Sequence, residues 1–382
     1  MKGFNHVLAY VEGKGFVKTS IFVSGDKITK ISEEDNKDGL EIKDDLMVIP
    51  GLIDSHIHAS HKQDTMYATP EAIKTIAETI ASEGVTTFLP TTMTCPKDEI
   101  DKALENVAQW IKEDHKEGAR VAGIHLEGPY ISEKHKGAQL ASNIRKPDVK
   151  DFESFQAHAH GAIKKVTIAC EEDQDLALTK YLYQNKIVAS IGHTDATAEQ
   201  TLAAAEAGVT CATHTYNAMR GLHHREAGTV GGVFLSDNVY GELICDLIHI
   251  SGPAIRVMAR CKGLDKIILI TDAMEAKHMP DGQYQLGGQD VFVKNGAARL
   301  ADGTLAGSTL YLNNAVKNFR ATLNIPLEKA VDCATKNPAL NLGLYDSIGS
   351  IKEGKKADFA VVDKDMKVYL TVRDGNIIYE AK

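Results

Sequence analysis

Two histidines, His56 and His58, lie just after an apolar run of the chain that begins at Leu46 and ends at Ile53. Because side chains alternate between the two faces of an extended strand, we expect both imidazoles to point the same way. A pair of imidazoles at the end of a buried strand can bind one metal ion. Such a pair also occurs in ordinary loops, so these two residues alone leave a metal site and a plain loop equally open.

Other His, Glu and Asp residues end apolar runs in the same manner. An isolated buried histidine is usually a hydrogen-bonded core residue, and an isolated aspartate at a strand end is usually a helix cap. When several strands bring such residues to one edge of the sheet, coincidence becomes a weaker explanation than a shared site. Three such ligands and a water form a catalytic metal site with an open position. Besides the first pair, the strand-end residues are His125, Glu127, His193, His214, His249 and Asp272.

These residues need a scaffold of alternating strands and helices. Four helical patterns between the apolar runs end at a glycine or just before one, as expected for C-caps; they are Glu71–Ser82, Asp98–Glu117, Thr197–Ala207 and Gly252–Lys262. Eight strand–helix units in about 290 residues predict a TIM-like (β/α)₈ barrel, whose active site lies at the C-terminal ends of its strands. The predicted strands are Leu52–His56, Thr86–Pro90, Val121–Glu127, Lys165–Cys170, Ile187–His193, Val209–His214, Tyr240–His249 and Lys266–Asp272.

Both ends of the chain have a different pattern, with short β-rich runs separated by turns. Near the N-terminus these runs are Val7–Val11, Val17–Val23 and Lys27–Ile31, and near the C-terminus they include Val368–Val372 before a hairpin turn at 373–376. We therefore predict an α/β protein in which residues 50–344 form the barrel. Residues 1–49 and 345–382 are expected to form one small β-sandwich domain beside it.

The composition is that of an ordinary globular protein, with 382 residues, 43% hydrophobic and 25% charged. A net charge of −9 and a pI near 5.9 offer no basic surface to nucleic acid or anionic lipid. No apolar run reaches the roughly 18 residues of a membrane helix, and the N-terminus lacks a signal-peptide pattern. The six cysteines are scattered without a Cys-x-x-Cys motif. This predicts reduced thiols and a cytoplasmic location.

Several motifs carry a resemblance to a known family. The run Pro50 to His58 resembles the first-strand signature of the amidohydrolase superfamily. Four further strings, in family order, are similar to its branch of amino-sugar-phosphate deacetylases: His125-Leu126-Glu127-Gly128-Pro129-Tyr130, Gly192-His193-Thr194, Thr213-His214-Thr215-Tyr216-Asn217-Ala218-Met219 and Leu305-Ala306-Gly307-Ser308. The resemblance runs from about residue 50 to the C-terminus and implies a metal-dependent enzyme.

The resemblance also implies a role for each matching residue. Glu127, His193 and His214 match the principal metal ligands. His56 and His58 match ligands of a second metal, with Glu127 bridging the two ions, and Asp272 matches the catalytic acid and base. The matching substrate-binding residues, several of them on the phosphate, are Asn217, Ala218, Arg225 and His249, and those lining the sugar are Ala138, Gln139, Leu305, Ala306 and Gly307.

The implied reaction is hydrolysis of the acetamide of N-acetyl-D-glucosamine 6-phosphate to D-glucosamine 6-phosphate and acetate, in amino-sugar catabolism. One or two divalent ions are expected per subunit of a homodimer. Zinc is the expected metal, and iron, manganese and cobalt also suit nitrogen and oxygen ligands. The sequence departs from the family pattern in two places. Ala59-Ser60-His61 replaces a Gly-Gly pair, which narrows the pocket or adds a ligand, and Gln139 replaces a histidine and cannot carry its charge.

Three alternatives stay open at this point. The substrate sugar can be the C4 epimer, N-acetylgalactosamine 6-phosphate. A catalytically silent barrel scaffold is a second possibility, although no residue of the implied ligand set is missing. A cyclic-amide hydrolase is disfavoured, because dihydroorotase-like members of the superfamily bridge two metals with a carboxylated lysine at the end of the fourth strand. Here that strand ends in Cys170-Glu171, and Lys164 and Lys165 lie at its other end.

Overall fold

The computed structural model describes residues 1–382 and contains a closed barrel of eight parallel strands. The third to eighth barrel strands form one continuous sheet, and the first two pair with each other. The barrel closes where the Asp272 amide donates to the His56 carbonyl at 2.9 Å, beside Thr271, whose hydroxyl donates to Asp54 at 2.6 Å. The strands are Leu52–Ile57, Val85–Pro90, Ile124–Glu127, Ile163–Ile168, Val188–Ile191, Val209–Ala212, Tyr240–Ile244 and Ile267–Ile270.

Each barrel strand is followed by a helix, as the alternating pattern predicts. Local sequence explains where several of them begin: Thr69 and Asp148 cap their helices through the side chain, and Thr197 forms a reciprocal capping box with Gln200. The eight helices are Pro70–Ala81, Lys97–Glu113, Val149–His158, Ala177–Gln184, Ala198–Ala207, Gly228–Leu235, Gly252–Lys262 and Leu312–Leu323. Helices Leu327–Asp332 and Lys336–Asn341 follow them.

Three predicted boundaries in the barrel were wrong by more than two residues, and several others differ by one or two. The second helix ends at Glu113 rather than Glu117, because Asp114 takes a left-handed conformation, with φ 52°, that terminates it. The third strand is interrupted at 122–123, so that Arg120–Val121 pairs separately with the second strand. The seventh strand stops at Ile244, because the next residues form a loop in which Asp246 accepts the amides of Ile248 and His249.

The two ends of the chain meet in one seven-stranded sheet. Strand Met47–Pro50 lies at its centre, between a strand from each end of the chain. Phe4 and Phe359 pack edge to face at 5.4 Å within a core of 15 buried residues drawn from both ends. The sheet order is Asn376–Glu380, Val368–Arg373, Phe359–Val362, Met47–Pro50, Gly3–Val11, Gly15–Ser24 and Lys27–Ser32. The fold is a TIM-like barrel with a small β-sandwich built from both chain ends.

We propose residues 50–344 as the barrel domain and 1–49 with 345–382 as the small domain. Only Gly51 separates Met47–Pro50, the central strand of the sandwich sheet, from the first barrel strand. The small domain therefore joins directly to the strand that carries His56. None of the helices combines the length and the apolar character that a membrane span requires.

Two insertions at the rim of the barrel were not predicted. A three-stranded sheet, Gly282–Leu286, Gln289–Lys294 and Ala297–Arg299, lies between the eighth strand and its helix. After the first strand, a small hairpin pairs Ala59–Ser60 with Gln63–Asp64. Its turn is His61-Lys62, in which both residues have positive φ. Short 3₁₀ helices complete the rim and loops: Thr65–Tyr67, Glu133–His135, Ala141–Asn143, Cys170–Glu172, Gln174–Leu176 and Leu264–Lys266.

Candidate metal centre and active site

Six side chains from five barrel strands converge at the C-terminal end of the barrel. They form two groups that share Glu127. One group is His56, His58, Glu127 and Asp272, and the other is Glu127, His193 and His214. In each group the potential ligand atoms lie within 4.8 Å of one another, and all these residues are buried.

The two oxygens of Glu127 face different groups. Its Oε2 lies 3.0 Å from Nε2 of His58 and 3.4 Å from Nε2 of His56. Its Oε1 lies 3.2 Å from Nε2 of His193 and 3.1 Å from Nε2 of His214. A carboxylate in this position can bind two cations, one through each oxygen.

Hydrogen bonds behind the rings orient the imidazoles. Nδ1 of His58 donates to the Thr91 carbonyl at 3.2 Å, and Nδ1 of His193 donates to the His135 carbonyl at 2.9 Å. Nδ1 of His214 donates to the carbonyl three residues further on, that of Asn217, at 3.1 Å. A proton held on Nδ1 leaves the lone pair of Nε2 directed into the cluster, as a metal ligand requires.

Electrostatics favour a positive charge at this place. Burial would raise the pKa of Asp272, but the His56 ring and a hydrogen bond from His58 lower it to about 2. Burial would likewise raise the pKa of Glu127, but His56 and hydrogen bonds from the other rings hold it well below its ordinary value. Although burial acts to lower the pKa of His56, these carboxylates raise it to about 9. Two ionised carboxylates among buried imidazoles therefore attract a cation.

The donor set fits a divalent metal ion. It consists of imidazole nitrogens and carboxylate oxygens, the ligands of zinc and related ions. Nε2 of His56 is fully buried and has no well-aligned hydrogen-bond partner, although it faces two carboxylates. A cation among these groups would satisfy this nitrogen and balance the negative charge.

The backbone at the strand ends aims these side chains. His193, His214 and Asp272 each lie two residues beyond the end of their strand, and all three have positive φ, at 47°, 32° and 49°. Residues other than glycine seldom adopt this conformation, and such outliers cluster at functional sites. Glu171 supports the His193 turn by accepting the Thr194 hydroxyl and the Asp195 amide.

A cavity of 210 Å³ opens above the candidate metal centre. Most residues predicted for the site line it: His58, Glu127, Ala138, Gln139, His193, His214, Asn217, Ala218, His249, Asp272, Leu305 and Gly307. Gln139 is held by the Thr94 amide, which donates to its Oε1 at 2.8 Å, while its Nε2 lies 3.3 Å from Nε2 of His193. His249 is oriented by Asp246, 2.6 Å from its Nδ1.

Other predicted residues lie outside the cavity wall. His56 lies beneath it in the cluster of candidate metal ligands, and Ala306 is fully buried behind it. Arg225 is exposed, with its guanidinium 2.8 Å from the neighbouring His224 ring, and does not line the cavity of its own chain. His61 is exposed in its hairpin turn, away from the metal groups. His125 is buried and bonded to Thr167 at 2.8 Å, so this strand-end histidine is a core residue.

Five residues of the cavity wall were not predicted: Met93, Gly137, Ile244, Leu286 and Thr304. Met93 and Ile244 lie at or just beyond the C-terminal ends of barrel strands, so the barrel rule could have suggested them. Gly137 and Thr304 adjoin residues that were predicted. Leu286 comes from the inserted three-stranded sheet, which no sequence motif indicates.

Fold and site together define a metal-dependent hydrolytic enzyme that acts at the open end of a barrel. The model of the Amidohydrolase family matches residues 47–378, and the chain belongs to this family.

The chain is 40% identical over 366 residues to an N-acetylglucosamine-6-phosphate deacetylase of Bacillus subtilis (strain 168), covering 94% of this chain and 92% of the relative. It is 36% identical over 326 residues to an N-acetylgalactosamine-6-phosphate deacetylase of Escherichia coli O157:H7, covering 85% and 86%. An N-acetylglucosamine-6-phosphate deacetylase structure from Thermotoga maritima aligns with a TM-score of 0.90 and 34% identity, covering 99% of this chain and all of that one.

A mutant deacetylase from Mycobacterium smegmatis, in complex with N-acetyl-D-glucosamine-6-phosphate, aligns with a TM-score of 0.92. It is 29% identical and covers 99% of this chain and all of that one. Its likeness extends over both the barrel and the sandwich.

Proposed function

We propose that this protein hydrolyses the acetamide of N-acetyl-D-glucosamine 6-phosphate, releasing acetate and D-glucosamine 6-phosphate in amino-sugar catabolism. The observation that carries the proposal is the convergence of Glu127, His193, His214 and Asp272 at one cavity. The names of the similar proteins support the substrate class. The complete set of these four residues argues against a silent scaffold.

Glu127, His193 and His214 would hold one divalent cation, and His56 and His58 with Glu127 would hold a second. Such an ion supplies Lewis acidity, which polarises a carbonyl and lowers the pKa of water to about 7. Zinc suits these ligands best, with iron, manganese and cobalt as alternatives. The two-sided contacts of Glu127 support two ions per subunit.

Asp272 is the proposed acid and base. It lines the cavity, and its Oδ1 lies 3.4 Å from Nε2 of His56 and 3.2 Å from Nε2 of His58. With its pKa lowered to about 2, it is ionised at neutral pH and can accept a proton from the attacking water. The same carboxylic acid then returns the proton to the leaving amine nitrogen, which makes the amine a better leaving group.

The sugar would be bound by the remaining cavity wall, with Asn217, Ala218 and His249 as donors toward the phosphate. Gln139 offers an amide hydrogen, and Leu305 and Gly307 contribute backbone near the sugar. Since Thr94 fixes the Gln139 carbonyl, the amide nitrogen is directed toward His193 and the cavity. A neutral amide at this position can orient an oxygen of the substrate without adding charge.

We further propose a homodimer in which Arg225 of the partner subunit closes the phosphate site. Arg225 is exposed and outside its own cavity, and large apolar side chains are exposed on nearby elements. A planar guanidinium suits a phosphate dianion. The exposed apolar residues are Leu222, Leu235, Leu247, Ile248 and Val257. A monomer at micromolar concentration in sedimentation experiments would contradict this arrangement.

The six cysteines are all free, which supports a cytoplasmic location. The acidic net charge of −9 supports a small-molecule substrate rather than nucleic acid or membrane partners.

N-acetylgalactosamine 6-phosphate is the second candidate substrate, because a relative 36% identical carries that name. The two sugars differ only at C4, so the decisive experiment measures acetate release from both in the same preparation. Metal content is measured alongside by elemental analysis. We expect turnover of the gluco epimer with metal bound. Release of acetate from neither sugar by the metal-loaded protein would reject the deacetylase proposal.

A further inference from the structure

Beneath the metal centre, the barrel interior contains an ion pair that does not line the cavity. Lys165 of the fourth strand and Glu242 of the seventh are both fully buried, and the ammonium donates to Oε1 of Glu242. Burying two charges rarely stabilises a protein more than apolar residues of the same volume would. The pair therefore requires another explanation than stability.

Glu242 divides its two oxygens between different partners. Its Oε1 accepts from Lys165 and from the Ser55 hydroxyl, the latter at 3.2 Å. Its Oε2 lies 3.3 Å from Nδ1 of His56. The lysine and the serine thus fix the carboxylate in one orientation, with its second oxygen presented to the imidazole.

This contact distinguishes His56 from the other histidines of the centre. His58, His193 and His214 each direct Nδ1 at a backbone carbonyl. His56 alone directs Nδ1 at a carboxylate, and it does so at the bottom of the cluster, where its ring is fully buried. A carboxylate draws the Nδ1 proton more strongly than a neutral carbonyl and makes Nε2 a stronger electron donor.

We propose that Glu242, held by Lys165, is a positioning residue that orients His56 and increases its strength as a ligand on the His56–His58 side of the metal centre. The inference rests on the metal site of the proposed function, and it concerns one side of that site. Lys165 donates to the other oxygen of this carboxylate and so fixes its orientation. The metal affinity of the His56–His58 side would consequently depend on Glu242 and Lys165, and that of the His193–His214 side would not.

Cation binding tests this proposal without reference to turnover. The metal-free protein is titrated with Co²⁺ against a chromophoric chelator, and visible absorption of the bound Co²⁺ is recorded. Wild type is expected to bind two classes of ion. Removing a residue that hydrogen-bonds to a metal ligand typically weakens metal binding 10–100-fold. In Glu242→Gln we therefore expect one class of bound Co²⁺ to be held 10–100-fold more weakly, with an altered visible spectrum. The affinity of the other class should change little.

A second variant separates the lost contact from an uncompensated lysine charge. Glu242→Gln leaves Lys165 buried without its partner, which alone can destabilise the barrel. The double variant Lys165→Met/Glu242→Gln removes both charges and should fold more easily. We expect it to show the same 10–100-fold loss in the same class. Recovery of wild-type affinity in the double variant would mean that the lysine charge, rather than the contact to His56, caused the effect.

Asp358→Asn is the matched control. Asp358 is a buried carboxylate paired with Arg120 at 2.8 Å, in a contact between the barrel and the small domain. Its loss should lower the thermal midpoint and leave both Co²⁺ affinities unchanged. Unchanged affinities in the double variant, or a wild type that binds no cation through His56, would overturn the positioning role. Acetate release from the same preparations separates this result from failure of the proposed reaction.

Discussion

Oδ1 of Asp272 lies 3.2 Å from Nε2 of His58, so the proposed acid and base shares its surroundings with a proposed metal ligand. Asp272 belongs to the eighth strand end and His58 to the first, where the barrel closes. Its carboxylate is thereby fixed at the floor of the cavity. The same contact means that a change at either residue alters the other, and variants must be chosen to separate them.

Asp272→Asn should lower kcat by about 10²–10⁴-fold, the usual contribution of a general acid or base. The amide keeps the shape of the side chain but cannot accept the proton. Metal content and the binding of the sugar phosphate should be nearly unchanged, as measured by elemental analysis and calorimetry. A variant with near wild-type kcat would make Asp272 a ligand or a structural residue only.

Removal of metal by exhaustive chelation should abolish turnover, because the proposed reaction depends on the Lewis acidity of a cation held by Glu127, His193 and His214. The fold should persist, since the barrel is supported by a cluster of 74 buried core residues. Acetate release and far-ultraviolet circular dichroism are measured before and after chelation, and again after adding Zn²⁺. Full activity in a preparation shown to be free of metal would contradict the mechanism.

His193→Ala should cost more activity than His56→Ala or His58→Ala. Without His56 or His58, the set of Glu127, His193 and His214 still provides three ligands and an open position. Without His193, that set has only two. Kinetics at saturating metal compare the three variants, and complete loss in all of them would indicate that both ions are essential.

Arg225→Ala should reduce kcat/KM for the 6-phosphorylated sugar by roughly 10- to 150-fold, mainly through KM. A lost charge-assisted hydrogen bond costs about 1.5–3 kcal/mol, and the phosphate is remote from the amide. The kcat/KM for the unphosphorylated N-acetyl sugar should fall only slightly. Arg145→Ala is the control, because Arg145 pairs with Asp151 away from the cavity. Equal losses on both sugars would show that Arg225 does not bind the phosphate.

Glu12 should stabilise the small domain in a pH-dependent manner. Burial acts to raise the pKa of Glu12, but hydrogen bonds from Lys352, Ser350 and Tyr345 lower it from 4.5 to about 2. A carboxyl with a lower pKa in the folded state stabilises that state above the unfolded value. This stabilisation is lost as the pH falls from about 4.5 toward 2.

The measurement compares the free energy of urea unfolding of wild type and Glu12→Gln. At pH 7 the variant should be less stable by about 1–2 kcal/mol, since the carboxylate is partly exposed to solvent. The difference should shrink below pH 4.5. Glu33→Gln, an exposed carboxylate of the same domain, should show no comparable change. A difference that is constant from pH 7 to pH 2.5 would exclude the ion-pair explanation.

The sequence by itself determined the order of barrel strands and the residues at their ends. Hydrophobic runs alternate with helical patterns because each barrel strand is buried on both faces and each helix on one. The barrel rule then assigns strand ends to one rim, so that Glu127, His193, His214 and Asp272 could be grouped from the sequence alone. Local signals also located helix starts such as Thr197, because capping depends on neighbours in the chain.

Only the tertiary structure decided which strand-end residues meet. His125 and Glu127 are two residues apart on one strand, yet Glu127 joins the cluster of candidate metal ligands and His125 bonds to Thr167 in the core. Likewise, nothing local indicates that Lys165 and Glu242, 77 positions apart, meet beneath His56. The exposed position of Arg225 also depends on how its loop leaves the barrel. Contacts between distant strands are set by closure and packing of the whole barrel, and no short stretch of sequence contains that information.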